Sequence, residues 1–162
     1  MPNWCMNYLT VSGERSGEFK ELLKSLEDAS ATEGQVPDFI NKDDVDGYFF
    51  DIYVDDYGVS YQTKWSPNIN VLIKCAEHFG IDFEVDYEEG GNLLYGQYKY
   101  EDGVLYGREL DTLECTWGDD ENGEFYVYNG ESYECVTEIT DMLLEKKEWQ
   151  IINLNNADYV ED

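Results

Sequence analysis

The sequence predicts an α+β fold: a ferredoxin-like antiparallel sheet backed by two helices, with an acidic β-rich C-terminal extension and a terminal helix. Strand-like and helix-like periodicities follow one another in the order β, α, β, β, α, β over the first part of the chain, the order of a split βαβ arrangement. Short turn signals rich in Gly, Asp and Asn separate them. A length of 162 residues, 42% of them hydrophobic and with 14 Tyr, 7 Phe and 4 Trp, is enough for one domain-sized core, which acidic disordered chains lack.

Residues Trp4 to Ser12 read as the first strand, stopped by Gly13. Ser16 is then the expected N-cap of a helix carrying Phe19, Leu22, Leu23 and Leu26 at helical spacing and ending near Asp28. Small and acidic residues with Pro37 make 29–47 a surface loop with at most a turn of helix. The β-rich segment Tyr48 to Val54 turns through Asp55-Asp56-Tyr57-Gly58 into Val59 to Trp65, an antiparallel pair. Ser66 and Pro67 suit an N-cap and first helical position, Ile69, Leu72, Ile73, Ala76 and Phe79 share a face, and Gly80 closes the second helix.

Ile81 to Tyr87 shows the clearest alternation in the chain. Phe83, Val85 and Tyr87 point one way, and Asp82, Glu84, Asp86 and Glu88 the other. Gly90 and Gly91 turn the chain into a strand from Leu93 to Tyr100, and Asp102-Gly103 turns it again into Val104 to Arg108. Strands at Leu113 to Trp117 and Phe125 to Tyr128 flank the acidic turn Gly118 to Gly123, and a last helix runs from about Cys135 to Lys146. Residues 1–108 thus form the ferredoxin-like region, and 109–162 an acidic extension packed on the same domain.

Three short stretches carry a resemblance. The opening MPNWCMNYLTVSG, the tripeptide Trp65-Ser66-Pro67 at a helix entry, and Tyr87, Glu89, Gly91 and Gly96 in YEEGGNLLYG occur in that order. Together they resemble the YubB-like, ferredoxin-like proteins of phages and plasmids, over roughly residues 1–108. Tyr8 departs from that pattern, standing where a basic or polar residue is expected. The resemblance implies a ferredoxin-like fold and a mobile-element origin, and no catalytic residues to carry over.

Charge is the other dominant feature. The 37 Asp and Glu against 10 Lys and Arg leave a net charge of -27. Residues 1–81 hold 14 acidic and 6 basic side chains and residues 82–162 hold 23 and 4, so the net charge is -8 in the first part and -19 in the second. Carboxylates two residues apart on a strand are about 6.7 Å apart, and each such pair repels by about 0.6 kcal/mol in water. Direct nucleic-acid binding needs clustered cations, so the sign here excludes it and favours a surface that imitates phosphates.

Other chemistry finds little support in the residues. Cys5, Cys75, Cys115 and Cys135 show neither zinc-ligand nor disulfide spacing, and no cofactor or phosphate-loop motif is present. Asp44, Asp46 and Gly47 match three positions of a calcium loop, but Lys42 and Tyr53 fall where ligands are required, and the turn at Asp120, Asn122 and Gly123 fails likewise at Gly118. Cys75 and the single histidine, His78, read as a buried thiol beside a boundary imidazole. Glu89 reads as an anchor of the Gly90-Gly91 turn in preference to a catalytic group. No apolar run reaches membrane-span length and the opening residues lack a secretory pattern, so a cytoplasmic protein of a bacterial host is expected.

The leading expectation is a non-enzymatic nucleic-acid mimic. It would inhibit a basic, nucleic-acid-binding host protein of the restriction or CRISPR type through Asp82, Glu84, Asp86, Glu88 and the turn residues Asp119, Asp120, Glu121 and Glu124. The alternative is an interaction module or homodimer, joined through a sheet edge or an aromatic patch at Trp117, Phe125, Tyr126 and Tyr128, with the carboxylates only solvated. A small carboxylate-dependent hydrolase is the third reading.

Overall fold

The computed structural model describes residues 3–153, so Pro2 of the opening motif lies outside the described residues. Strand β1 (Trp4–Ser12) leads to helix α1 (Ser16–Ser25) and the one-turn helix α2 (Glu27–Ser30). Strands β2 (Phe50–Val54) and β3 (Val59–Lys64), helix α3 (Ile69–Phe79) and strand β4 (Asp82–Glu89) complete a βαββαβ unit. Strands β5 (Leu94–Glu101) and β6 (Val104–Glu109) extend it. The short strands β7 (Gly118–Asp119), β8 (Tyr126–Tyr128) and β9 (Glu131–Tyr133), helix α4 (Val136–Glu145) and strand β10 (Gln150–Ile151) follow.

The main sheet has the order β10-β6-β5-β4-β1-β3-β2, and all its pairings are antiparallel. Its β4-β1-β3-β2 portion is the ferredoxin-like arrangement. Helices α1 and α3 cover one face. There Leu9, Ile52, Val59, Tyr61, Phe83 and Val85 of the sheet pack against Phe19 and Leu23 of α1 and Val71, Leu72, Cys75, Ala76 and Phe79 of α3. Strands β7, β8 and β9 form a separate small sheet. Together with α4 they enclose a second apolar cluster around Tyr95, Leu110, Ile139, Leu143 and Leu144.

Buried polar groups lock β1 in the centre. The Asn7 amide nitrogen donates to the Cys5 carbonyl (3.2 Å), the Tyr61 carbonyl (3.4 Å) and Thr63 Oγ1 (3.0 Å). The Tyr61 hydroxyl donates to Asn68 Oδ1 at 2.9 Å, which ties β3 to the start of α3. Glu89 is buried and its carboxylate accepts from the Gly91 and Asn92 amides at 2.9 and 3.0 Å, the turn anchor its position suggests.

Several local expectations need correction. Ser16 is the first helical residue and Arg15 the N-cap, without a side-chain cap, and the helix breaks at Leu26 before restarting as α2. Helix α3 begins at Ile69 and not at Pro67, with Asn68 as its N-cap. The Asn68 side chain is held by Tyr61 and Gly47, so the Asp46 carboxylate takes over, accepting from the Asn70 and Val71 amides at 2.8 and 3.2 Å. The strand expected at Leu113 to Trp117 is a 3₁₀ turn over Thr112–Glu114. Asp111 and Glu114 form a reciprocal capping box there, a local arrangement that needs no partner strand. Strands β7, β9 and β10 were not foreseen.

The break at Leu26 has a structural use. It brings α2 against the outer edge of β2, where Ser30 Oγ accepts from the Ile52 amide at 3.0 Å and Glu27 Oε1 from the Val54 amide at 2.9 Å. Those two amides would otherwise be offered to another strand. On the other side of β1, tyrosines fold over glycines of the next strand: Tyr87 over Gly96 and Tyr98 over Gly107, with the two rings stacked at 5.3 Å.

Three stability predictions rest on this packing. A Cβ at Gly96 would collide with the Tyr87 ring and hydroxyl and lie 3.0 Å from the Arg108 carbonyl, whereas one at Gly17 meets nothing. G96A should therefore lower stability by about 1–3 kcal/mol in urea unfolding, and G17A should raise it by about 0.4–1 kcal/mol. S30A leaves the buried Ile52 amide without its acceptor and should cost about 1–3 kcal/mol, read by the same titration.

Candidate functional site

Register places the β4 carboxylates on the face opposite α1 and α3. Met6, Tyr8 and Thr10 of β1 stand beside Glu88, Asp86 and Glu84, and Tyr95, Gln97 and Lys99 of β5 stand beside the same three on the other side. The alternation expected for this strand is present, but the carboxylates form a single column between largely uncharged neighbours. Asp82 lies at the far end, where it accepts from the Asp102 amide at 3.3 Å.

Helix α4 divides this column. Its Val136, Ile139, Leu143 and Leu144 pack into the second apolar cluster, while Thr137, Thr140 and Asp141, together with an edge of Leu144, overhang the sheet. A groove of about 340 Å³ results, with Met6, Tyr8 and Tyr95 on the sheet side and Leu144 on the helix. Asp86, Glu88 and Asp141 line it. Asp86 and Asp141 remain open to solvent on one side, and Glu88 is half-buried.

These carboxylates have no cation of their own. The ion pairs among the described residues are Arg15 with Glu18 and Lys147 with Glu114, both elsewhere. Arg108 is the nearest candidate, but its Nε donates to Gln97 Oε1 at 2.7 Å, its Nη1 donates to the Lys147 carbonyl at 3.0 Å, and it stacks 4.1 Å from the Trp149 ring centre. The Lys99 ammonium lies over the same ring, 4.7 Å from its centre. Burial raises the Asp86 carboxyl above its ordinary value, and the Asp141 and Glu84 charges add to that against opposition from Gln97 and Arg108. Glu88 is raised by burial and then by Asp141, and Asp141 by burial and then by Glu145.

The acidic turn belongs to the small sheet. Asp120 is committed to its own turn, accepting from the Asn122 and Glu124 amides at 3.1 and 2.9 Å. Asp119, Glu121 and Glu124 are exposed on either side of it. The structure thus joins Asp86 and Glu88 to Asp141, which the sequence reading missed, and leaves the turn in a different sheet. The i, i+3, i+4, i+7 spacing of Thr137, Thr140, Asp141 and Leu144 puts the four on one side of α4 but does not say which strand that side meets. Of the expected aromatic patch, Trp117, Tyr126 and Tyr128 pack partly buried against the second cluster, and Phe125 is exposed.

Cys5, Cys75, His78 and Asp46 are each buried or held by a neighbour, whereas Cys135 is exposed. Burial pushes the Cys5 thiol up to about 11 and the Cys75 thiol up to about 12, so neither supplies a thiolate near neutral pH. His78 is exposed and stacks on Phe39 at 3.8 Å. Asp46 is spent on capping α3. A larger cavity, about 520 Å³, opens beside Tyr87, Tyr98, Arg108, Glu109 and Lys147. In it Glu109 accepts from the Tyr87 hydroxyl at 2.7 Å, and Lys147 pairs with Glu114 at 2.6 Å.

The raised carboxyls fix the sign of the pH dependence. A folded-state pKa above the unfolded one means that the folded state holds the proton more tightly, so this stabilisation is complete below the unfolded pKa and is lost as pH rises through the folded pKa. Tm should therefore rise as pH is lowered from neutral toward about 5, near the top of the ordinary carboxylate range. The D86N/E88Q/D141N variant should show a flatter profile over the same interval. Identical slopes in the two proteins, or a fall in the native one, would exclude this account of the three groups.

No curated protein matches this chain, and no solved structure matches it. A family model described as the ferredoxin-like domain in Api92-like protein does match, over residues 45–139. The matched range runs past residue 108 through the small sheet and into the first turn of α4, so residues 109–139 fall within it. The core topology agrees with that description, since β4, β1, β3 and β2 are adjacent in ferredoxin-like order. Over more than half of its length, then, the chain belongs to the family defined by the ferredoxin-like domain of Api92-like proteins.

Proposed function

We propose that the protein is a non-enzymatic binder of a basic, nucleic-acid-binding protein, whose phosphate-contacting surface it occupies with carboxylates. The observation that carries this reading is the lack of internal compensation: a net charge of -27, with two ion pairs among the described residues. A protein holding so many unpaired carboxylates in a compact fold gains electrostatically from a cationic partner.

The N-terminal motif adds a direction. Its resemblance to YubB-like proteins of phages and plasmids makes a restriction enzyme or CRISPR effector of a bacterial host the fitting target, since such proteins carry basic channels for DNA or a guide duplex. Association should be steered by charge and weakened by salt.

Tagged protein incubated with bacterial lysate at low salt should retain proteins that bind DNA, and added double-stranded DNA should displace them in competition. Affinity for a purified target should fall on the order of tenfold between about 50 and 200 mM salt. Retained proteins that do not bind DNA, or that DNA fails to displace, would rule out mimicry.

A further inference from the structure

We propose that the open face of the main sheet beside α4 is a docking groove for an amphipathic segment of the partner protein, with a lysine or arginine side chain of that segment seated between Asp86, Glu88 and Asp141. This rests on the reading that the partner is basic and goes further, naming the contact surface and the chemistry it selects. The groove replaces the evenly spaced β4 column and the acidic turn as the principal contact.

Two chemistries meet on this face. The first is an unmatched trio of carboxylates whose nearest cations, Arg108 and Lys99, are engaged by Trp149. The second is a set of exposed apolar side chains beyond the groove on β1 and β2, which flank Ser60, Gln62 and Lys64 of β3. Trp4 pairs in register with Lys64, Phe50 with Gln62 and Tyr53 with Ser60, so these aromatics share the face of Met6 and Tyr8. Trp4 is 40% exposed, Met6 44% and Tyr53 63%, and the Trp4 and Phe50 rings meet edge to face at 5.0 Å.

Each simpler occupant satisfies one half of this surface. Nucleic acid could stack on the aromatics but would set phosphates against Asp86 and Glu88. A metal ion would use carboxylates alone, and among the described residues no group of three or more His, Cys, Asp or Glu is arranged to hold one. A strand added at the β2 edge would meet amides already bonded to Ser30 and Glu27. A lysine or arginine fits both halves, because its hydrocarbon stem lies on Tyr8 and Leu144 while its charged end reaches the carboxylates. The groove's 340 Å³ is near the lower end of the range of ligand pockets, about 300–1,000 Å³, a size suited to a side chain and not to a large cofactor.

The test uses two fluorescein-labelled peptides of equal length, one alternating Lys and Leu and the other all Lys, with the full chain at low salt. The alternating peptide should bind at least about threefold more tightly than the all-Lys peptide, since only it matches the apolar half. D86N/E88Q/D141N should weaken its binding about tenfold, whereas D119N/E121Q/E124Q, which removes the same charge from the turn, should weaken it by less than about twofold. M6K, which puts an ammonium at the groove, should also weaken it. In the native protein, without any variant, the methyl carbon signal of Met6 should shift on adding the peptide, and that of Met142, packed against the second cluster, should not. Equal weakening by the two triple variants would overturn the groove and leave the basic-partner reading standing. Failure of the native protein to bind either peptide would overturn both. A dimer that persists at high salt and is broken by M6K would assign the face to a second copy of the chain and overturn the proposal.

Discussion

Strand β1 is hydrogen-bonded along both edges, to β3 and to β4, and the rest of the molecule is built outward from it. A central strand cannot shift by one residue without turning every side chain to the wrong face. Asn7 makes such a slip especially costly, because its buried amide bonds to groups on β1 and β3 that have no water to replace it. The odd-numbered residues Cys5, Asn7 and Leu9 therefore lie beneath the two helices. The even-numbered Met6 and Tyr8 are left on the opposite face, and that division creates the groove.

Helix α4 completes the arrangement by serving two surfaces at once. Ile139 and Leu143 anchor it to the cluster that also holds Tyr95, so the helix is positioned by ordinary apolar packing. Its other side brings a third carboxylate to two already present. Nothing in that packing requires Asp141 to be acidic, and neither Arg108 nor Lys99 is released to offset it. The fold therefore holds like charges close together through hydrophobic burial elsewhere, which is how a site can be kept poised for an external cation.

The parts of this fold that were readable in sequence are those in which a local signal and a tertiary role coincide. Strand β1 runs over the residues expected, Gly80 closes α3 in a left-handed conformation with φ 64°, and Asp102 and Gly103 take the positive φ values of a tight hairpin. Where a side chain is claimed by a distant partner, local signals failed. Ser66 and Pro67 looked like a helix start, but Asp46 reaches α3 across some two dozen residues of chain. Strands β7, β9 and β10 are two or three residues long, too short for any alternation to appear. The β4 carboxylates were legible as a column because a strand has a period of two. Their conjunction with Asp141 depends on where α4 docks, and no periodicity encodes that.

The cover over β2 bears on edge-to-edge association of the sheet. Strong net charge ordinarily keeps molecules apart, but it fades as pH approaches the isoelectric point of about 4.1. An uncovered β2 would then template stacking of one sheet onto the next. Ser30 and Glu27 occupy its outward amides from within the same chain, and Ser30 does so with a hydroxyl that does not titrate. Edge pairing in this fold thus meets two independent obstacles, one electrostatic and tied to pH, the other steric and directional, which does not depend on the net charge.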